Sequence, residues 1–176
     1  LITQYFHAEN EVARDNLVSV LSKNLHHPNI AEVALVNELE YNFAALKSSE
    51  KVKQYISGRR LTFADTFRVA NDFYPNRTIV VSNSDIFFDS TINVATSSPL
   101  SNTIIALSKW NAVSVENSEN GTVMDDKISL SLRADSQDAW VFRTPVPESV
   151  IAQSEFYLGA PRCDNRIARI FADAGY

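Results

Sequence analysis

"IVVSNSDIFFD" (residues 79–89) is the stretch on which the reading of this chain turns. Ile79, Val80 and Val81 run into Ser82, the chain breaks at Asn83-Ser84-Asp85, and Ile86, Phe87 and Phe88 resume before Asp89. A short β-branched run without alternation is the pattern of a strand buried on both faces. An acid at its exit has no use inside a sheet. It does have one just outside, because open α/β sheets bind ligands beyond the carboxyl ends of their strands. The same three polar residues also suit a plain turn with side chains bonded to the backbone.

The flanking sequence supplies the rest of such a sheet. "LITQYF" (1–6), "IAEVALVNE" (30–38), "KVKQYIS" (51–57) and "RTIVVSNSD" (77–85) read as strands. Between them, "ENEVARDNLVSVLSKNL" (9–25) sets Val12, Leu17, Val20, Leu21 and Leu25 on a helical stripe, and "TFADTFRVANDF" (62–73) is helical. Strands separated by helices predict βαβ units and a mainly parallel sheet. Their exits are all polar: Gln4 and Tyr5, Asn37 and Glu38, Ser57 to Arg60, Asn83 to Asp85. Together these exits form the candidate site. Farther on, "NTIIALSKW" (102–110) and "AWVFRT" (139–144) read as strands, and "NSENGTVMDDK" (117–127) as an exposed turn. "LGAPRCDNRIARIFADAGY" (158–176) is a Gly/Pro turn leading into a helix, with Asp164 near its start and Ile167, Ile170 and Phe171 inward.

Size and composition narrow the function. The 176 residues, 45% hydrophobic and 21% charged, suffice for one domain with a real core. A formal charge of -5 argues against a general nucleic-acid binder, which needs a basic face. It leaves open a phosphate ligand bridged to carboxylates by a cation. The single cysteine, Cys163, allows no internal disulfide and fits a reducing compartment, so a cytoplasmic protein, or one peripheral to a membrane, is expected. No apolar run is long enough for a membrane span.

Three segments in order resemble the nucleotide-sugar glycosyltransferases of the A fold. "IVVSNSDIFFD" is similar to the family's strand ending in Asp-x-Asp, with Asn83 in the first acidic place and Asp85 in the second. "GRRLTFADTFRVAND" (58–72) resembles the Gly/Arg/Asn-containing helix before it. "RCDNRIARIFADAGY" (162–176) resembles the acceptor-side helix, with Cys163-Asp164 in place of Glu-Asp. The resemblance implies a three-layer α/β/α sandwich with a mainly parallel sheet. It implies one domain over 1–176: a nucleotide-sugar-binding half (1–90) and an acceptor-side half (91–176). It further implies metal-dependent transfer of a sugar from a UDP- or GDP-sugar to a glycan or other hydroxyl acceptor. The family usually continues into a further strand and a metal-binding His beyond the point corresponding to Tyr176. The alternative is a domain of the same kind that binds nucleotide or glycan without turnover.

Each candidate residue has a plain reading beside the functional one. Asp85 with the Asn83 carbonyl would hold Mn²⁺ or Mg²⁺, which takes one or two carboxylates and completes its shell with phosphate and water; Asp89 suits a cap better. Asp164 would be the base that takes the acceptor's proton, or else a helix-start acid. Asp138 joins it on the catalytic side, with Trp140 and Asn165 at the acceptor; the plain reading of Trp140 is core. Arg59 and Arg60 would grip the diphosphate, unless they are ordinary loop arginines. Gln4 and Tyr5 would meet the nucleobase. Cys163 reads as a buried thiol, and His26-His27 before Pro28 as a helix end. A phospho-aspartyl phosphatase needs an acid where Asn83 stands, and an ATPase needs a glycine-rich Lys-Ser/Thr loop that the chain lacks.

Overall fold

The structure is a computed structural model and describes residues 1–108, 110–113, 127–130 and 137–176. In chain order the elements are β1 (Ile2–Thr3), α1 (Glu11–His26), β2 (Val33–Asn37), β3 (Val52–Ile56), α2 (Phe63–Phe73), β4 (Thr78–Ser82), α3 (Ile92–Thr96), β5 (Ile105–Leu107), β6 (Trp110–Val113), β7 (Lys127–Leu130), β8 (Ala139–Arg143), α4 (Glu148–Gln153) and α5 (Cys163–Asp173).

Six of these strands make one mixed sheet in the order β3-β2-β1-β4-β8-β5. The first four run parallel, with Val33 opposite Val52 and Ile2 between Ala34 and Val81. β8 then enters antiparallel to β4, setting Trp140 opposite Val81, and β5 is antiparallel to β8. Strands β6 and β7 pair as a separate antiparallel ribbon. The expected strand over 102–110 is therefore two: β5 and the start of β6. Residues 117–126 of the expected exposed turn lie outside the described residues.

Helices cover both faces, as the strand pattern requires. Alternate residues Ile2, Val36, Val81 and Phe142 face Phe63 and Phe67 of α2, Val150 and Ile151 of α4, and Ile167 and Phe171 of α5. On the opposite face Val33 and Leu35 meet Leu21 and Leu25 of α1, while Val80 and Val141 meet Ile92 and Ala95 of α3. Val12, expected on the buried stripe of α1, is instead 68% exposed.

Local signals set the helix ends. Asn10 caps α1, its Oδ1 accepting from the Val12 N–H at 2.8 Å, and Pro28 follows the last turn. Thr62 and Asp65 close α2 with a reciprocal capping box. Gly175, at φ 87°, follows α5 in the left-handed conformation that ends helices.

Candidate functional site

A cleft of about 790 Å³ opens where the parallel strands end. Its lining draws on the exits of three of them: Gln4, Phe6 and His7 after β1, Glu38 and Tyr41 after β2, and Asn83, Ser84 and Asp85 after β4. Ala13, Asn16 and Leu17 of α1 form one wall, and Arg60 with Leu158 and Gly159 forms another. The volume lies in the range of small-molecule sites.

Asp85 is exposed, and it has no hydrogen-bond or ion-pair partner among the described residues. Asn83 stands differently from the role expected of it. Its Nδ2 donates to Asp138 Oδ1 at 2.8 Å, and its N–H donates to the Asp138 carbonyl at 2.9 Å. That fixes the amide, so Oδ1 points the other way, buried and unpartnered. A Cβ on Gly159 would stand 3.2 Å from this oxygen. The atom that was to hold a cation is thus covered, which leaves Asp85 as the accessible carboxylate at this strand exit. Among the described residues no three His, Cys, Asp or Glu side chains gather as a metal-binding group. A cation at Asp85 would need ligand oxygens and water for the rest of its shell, an arrangement Mg²⁺ accepts.

Arg60 lines the cleft; it donates to the Leu158 carbonyl at 3.2 Å and lies 5.2 Å from the Tyr157 ring centre. Arg59 turns away. It bonds Asp65 at 2.9 Å and Glu155 at 3.3 Å, and Arg68 bonds Glu155 at 2.7 Å, so Arg59 belongs to a surface ion-pair network. Burial pushes the Asp65 carboxyl up, but hydrogen bonds from Thr62 and Arg59 outweigh it and hold the group below its ordinary value.

Gln4 lines the cleft, while its Oε1 accepts from the Leu61 N–H and its Nε2 donates to the Arg59 carbonyl, so it also ties two loops together. Tyr5 sits one step behind the lining, edge-on to Tyr41 and Phe43 at 5.0 and 5.1 Å. The aromatic surface presented to the cleft is therefore Tyr41 and Phe6, the latter 41% exposed. Side-chain amides hold these loops in place. Asn37 Oδ1 accepts from the Tyr5 N–H, and Gln54 bonds both the N–H and the carbonyl of Tyr41.

The acceptor-side residues are not gathered at the cleft. Trp140, expected to offer a stacking face, is 2% exposed and packs edge-on against Phe63 at 5.0 Å. Its place on a sheet strand facing α2 makes it core. Asp138 is bound to Asn83 behind the lining. Asp164 lies in the first turn of α5, where Arg162 and not Asp164 holds the N-cap position. The Cys163 thiol donates to Asp164 Oδ1 at 3.3 Å. Asn165 is exposed on the same helix. None of these four lines the cleft. Burial, with Asp164 beside it, pushes the Cys163 thiol up to about 12, so it is no nucleophile at neutral pH. Asp89 accepts from the N–H and hydroxyl of Thr91 in the turn ahead of α3, whose N-cap position Thr91 and not Asp89 holds.

Sequence reasoning missed the α1 wall and Leu158-Gly159. Small Ala13, a turn before buried Leu17, and polar Asn16 beside it were the available sign that this part of the helix faces an opening. No helix among the described residues is long and apolar enough to cross a membrane. No family model, curated protein or solved structure matches the chain.

Proposed function

We propose that the cleft binds the diphosphate of a nucleotide sugar and that the chain transfers the sugar to a hydroxyl acceptor, within a three-layer α/β/α architecture of the glycosyltransferase A type. One observation carries this reading: the cleft lies at the carboxyl ends of β1, β2 and β4, and its lining includes Arg60 and, at the exit of β4, Asp85, which has no partner among the described residues. Mn²⁺ or Mg²⁺ bound there would neutralise the charge that grows on the diphosphate as the sugar leaves. Asp85 is the carboxylate that would hold it. Arg60 has guanidinium donors to spare for a phosphate oxygen, and Phe6 and Tyr41 offer ring surface to the base. In this reading Asp164 takes the proton of the acceptor hydroxyl.

A second reading, binding without turnover, is favoured by the place of Asp164, which is outside the cleft lining and in contact with the Cys163 thiol. Titration with UDP and GDP, in Mn²⁺ and in chelator, tests the site common to both readings. Affinity is expected to fall in chelator, and Asp85→Ala is expected to abolish the metal-dependent part. Equal affinity in chelator defeats the proposed site. Assays of sugar-nucleotide hydrolysis and transfer then separate the two. With turnover, Asp164→Asn lowers transfer on the order of 10²- to 10⁴-fold at unchanged nucleotide affinity.

A further inference from the structure

The loop that carries Asp85 is held from a distance by α1. Asn24 is 2% exposed near the end of that helix, an uncommon place for an amide, since asparagine favours helices poorly and a buried amide must find partners. Its partners are not on its own helix. Nδ2 donates to the Ile86 carbonyl at 2.9 Å, and Oδ1 accepts from the Phe88 N–H at 3.2 Å. One side chain thus satisfies two backbone groups of the irregular segment after β4, as a neighbouring strand would. His27 adds a third bond, its Nε2–H donating to the Asp89 carbonyl at 3.0 Å, and its Nδ1 accepts from the Asn29 N–H. On the other side of Asp85, Asn83 is fixed to Asp138. Asp85 therefore sits on a short arch pinned at both feet. The second foot rests on the same helix whose Ala13, Asn16 and Leu17 form a cleft wall.

We propose that Asn24 is a positioning residue: it fixes the Asp85 carboxylate against the α1 wall, and so sets the cation and diphosphate geometry of the cleft without touching either. This rests on the proposed binding function, and its test has one arm that does not. Asn24→Leu removes the amide at similar volume, whereas Asn24→Asp keeps the acceptor for Phe88 and loses the donor to Ile86. Amide hydrogen exchange across 84–89 is measured without ligand. Exchange is expected to rise at least tenfold in Asn24→Leu, less in Asn24→Asp, with β2 and α5 unchanged.

GDP and UDP titrations in Mn²⁺ and in chelator form the second arm. The metal-dependent gain in affinity is expected to shrink tenfold or more in Asn24→Leu, while affinity in chelator stays as in the wild type. A purely structural role lowers the melting temperature but leaves that gain intact, and this outcome overturns the proposal. Unchanged exchange at Phe88 overturns it as well. A wild-type chain with no metal-dependent binding defeats the functional reading instead. The exchange arm then decides alone whether Asn24 holds the Asp85 arch. Should Asn24→Leu fail to fold, Asn24→Asp carries both measurements.

Discussion

At the scale of single residues, the site divides into groups whose place could be read in sequence and groups whose place could not. Asp85 could be read, because a strand's exit is fixed by where its apolar run stops. The orientation of Asn83 could not: it depends on Asp138, 55 residues away. Trp140 shows the same limit, since an aromatic in a short apolar run reads alike whether it faces a ligand or Phe63. Cys163 offers a sharp test of burial. Its raised thiol should make alkylation in the folded chain at pH 8 on the order of 10²- to 10³-fold slower than in denaturant, given an ordinary thiol near 8.5. A folded value above the unfolded one also means that the folded state holds its proton longer. The thiol's contribution to stability is then complete below about pH 8.5 and is lost as pH rises toward about 12. Rapid alkylation of the native protein would contradict the buried placement.

At the scale of elements, the helices carried their own signals. The Thr62–Asp65 box, the Gly175 stop and the inward Ile167, Ile170 and Phe171 of α5 are all local features. Strand direction is not local. An apolar run buried on both faces reads the same whichever way it points, so the antiparallel insertion of β8 between β4 and β5 left no trace in "AWVFRT". Thr62→Ala should lower stability by about 1 kcal/mol at neutral pH, the usual loss for an N-cap. Because Thr62 helps hold Asp65 below its ordinary carboxyl value, that contribution is present above the ordinary value and fades as pH falls through it. Paired denaturant titrations at pH 7 and near pH 3 check this: the wild-type advantage should narrow at the lower pH. A constant difference would assign the whole effect to the hydroxyl's bond with the Asp65 N–H.

For the whole molecule, the core seam runs through Trp140, where β8 faces α2. Trp140→Ala should destabilise by about 3–5 kcal/mol, as large buried aromatics do. Trp140→Phe should cost clearly less, because the indole N–H is buried without a partner and its loss removes an unsatisfied donor. Equal losses in thermal or denaturant unfolding would show that volume alone matters at the seam. The cleft was partly legible at this scale, for polar strand exits converge whenever strands run parallel. The α1 wall was not, since which residues of a helix line an opening depends on how the helix packs on its sheet.

The loops around the cleft hang on neutral side-chain amides: Asn37 on Tyr5, Gln54 on Tyr41, Gln4 on Leu61 and Asn24 on the Asp85 arch. Counterions screen charges across a Debye length of about 10 Å at 0.1 M, but they have no comparable hold on a short buried amide bond. These amide contacts are thus little affected by ionic strength, whereas the Asn83–Asp138 foot of the arch, the Arg60–Leu158 tie and the charges facing the opening involve ionic groups. A salt titration of ligand affinity, read beside amide exchange across 84–89 at the same salt concentrations, then separates the ionic contacts the ligand makes from any movement of the arch.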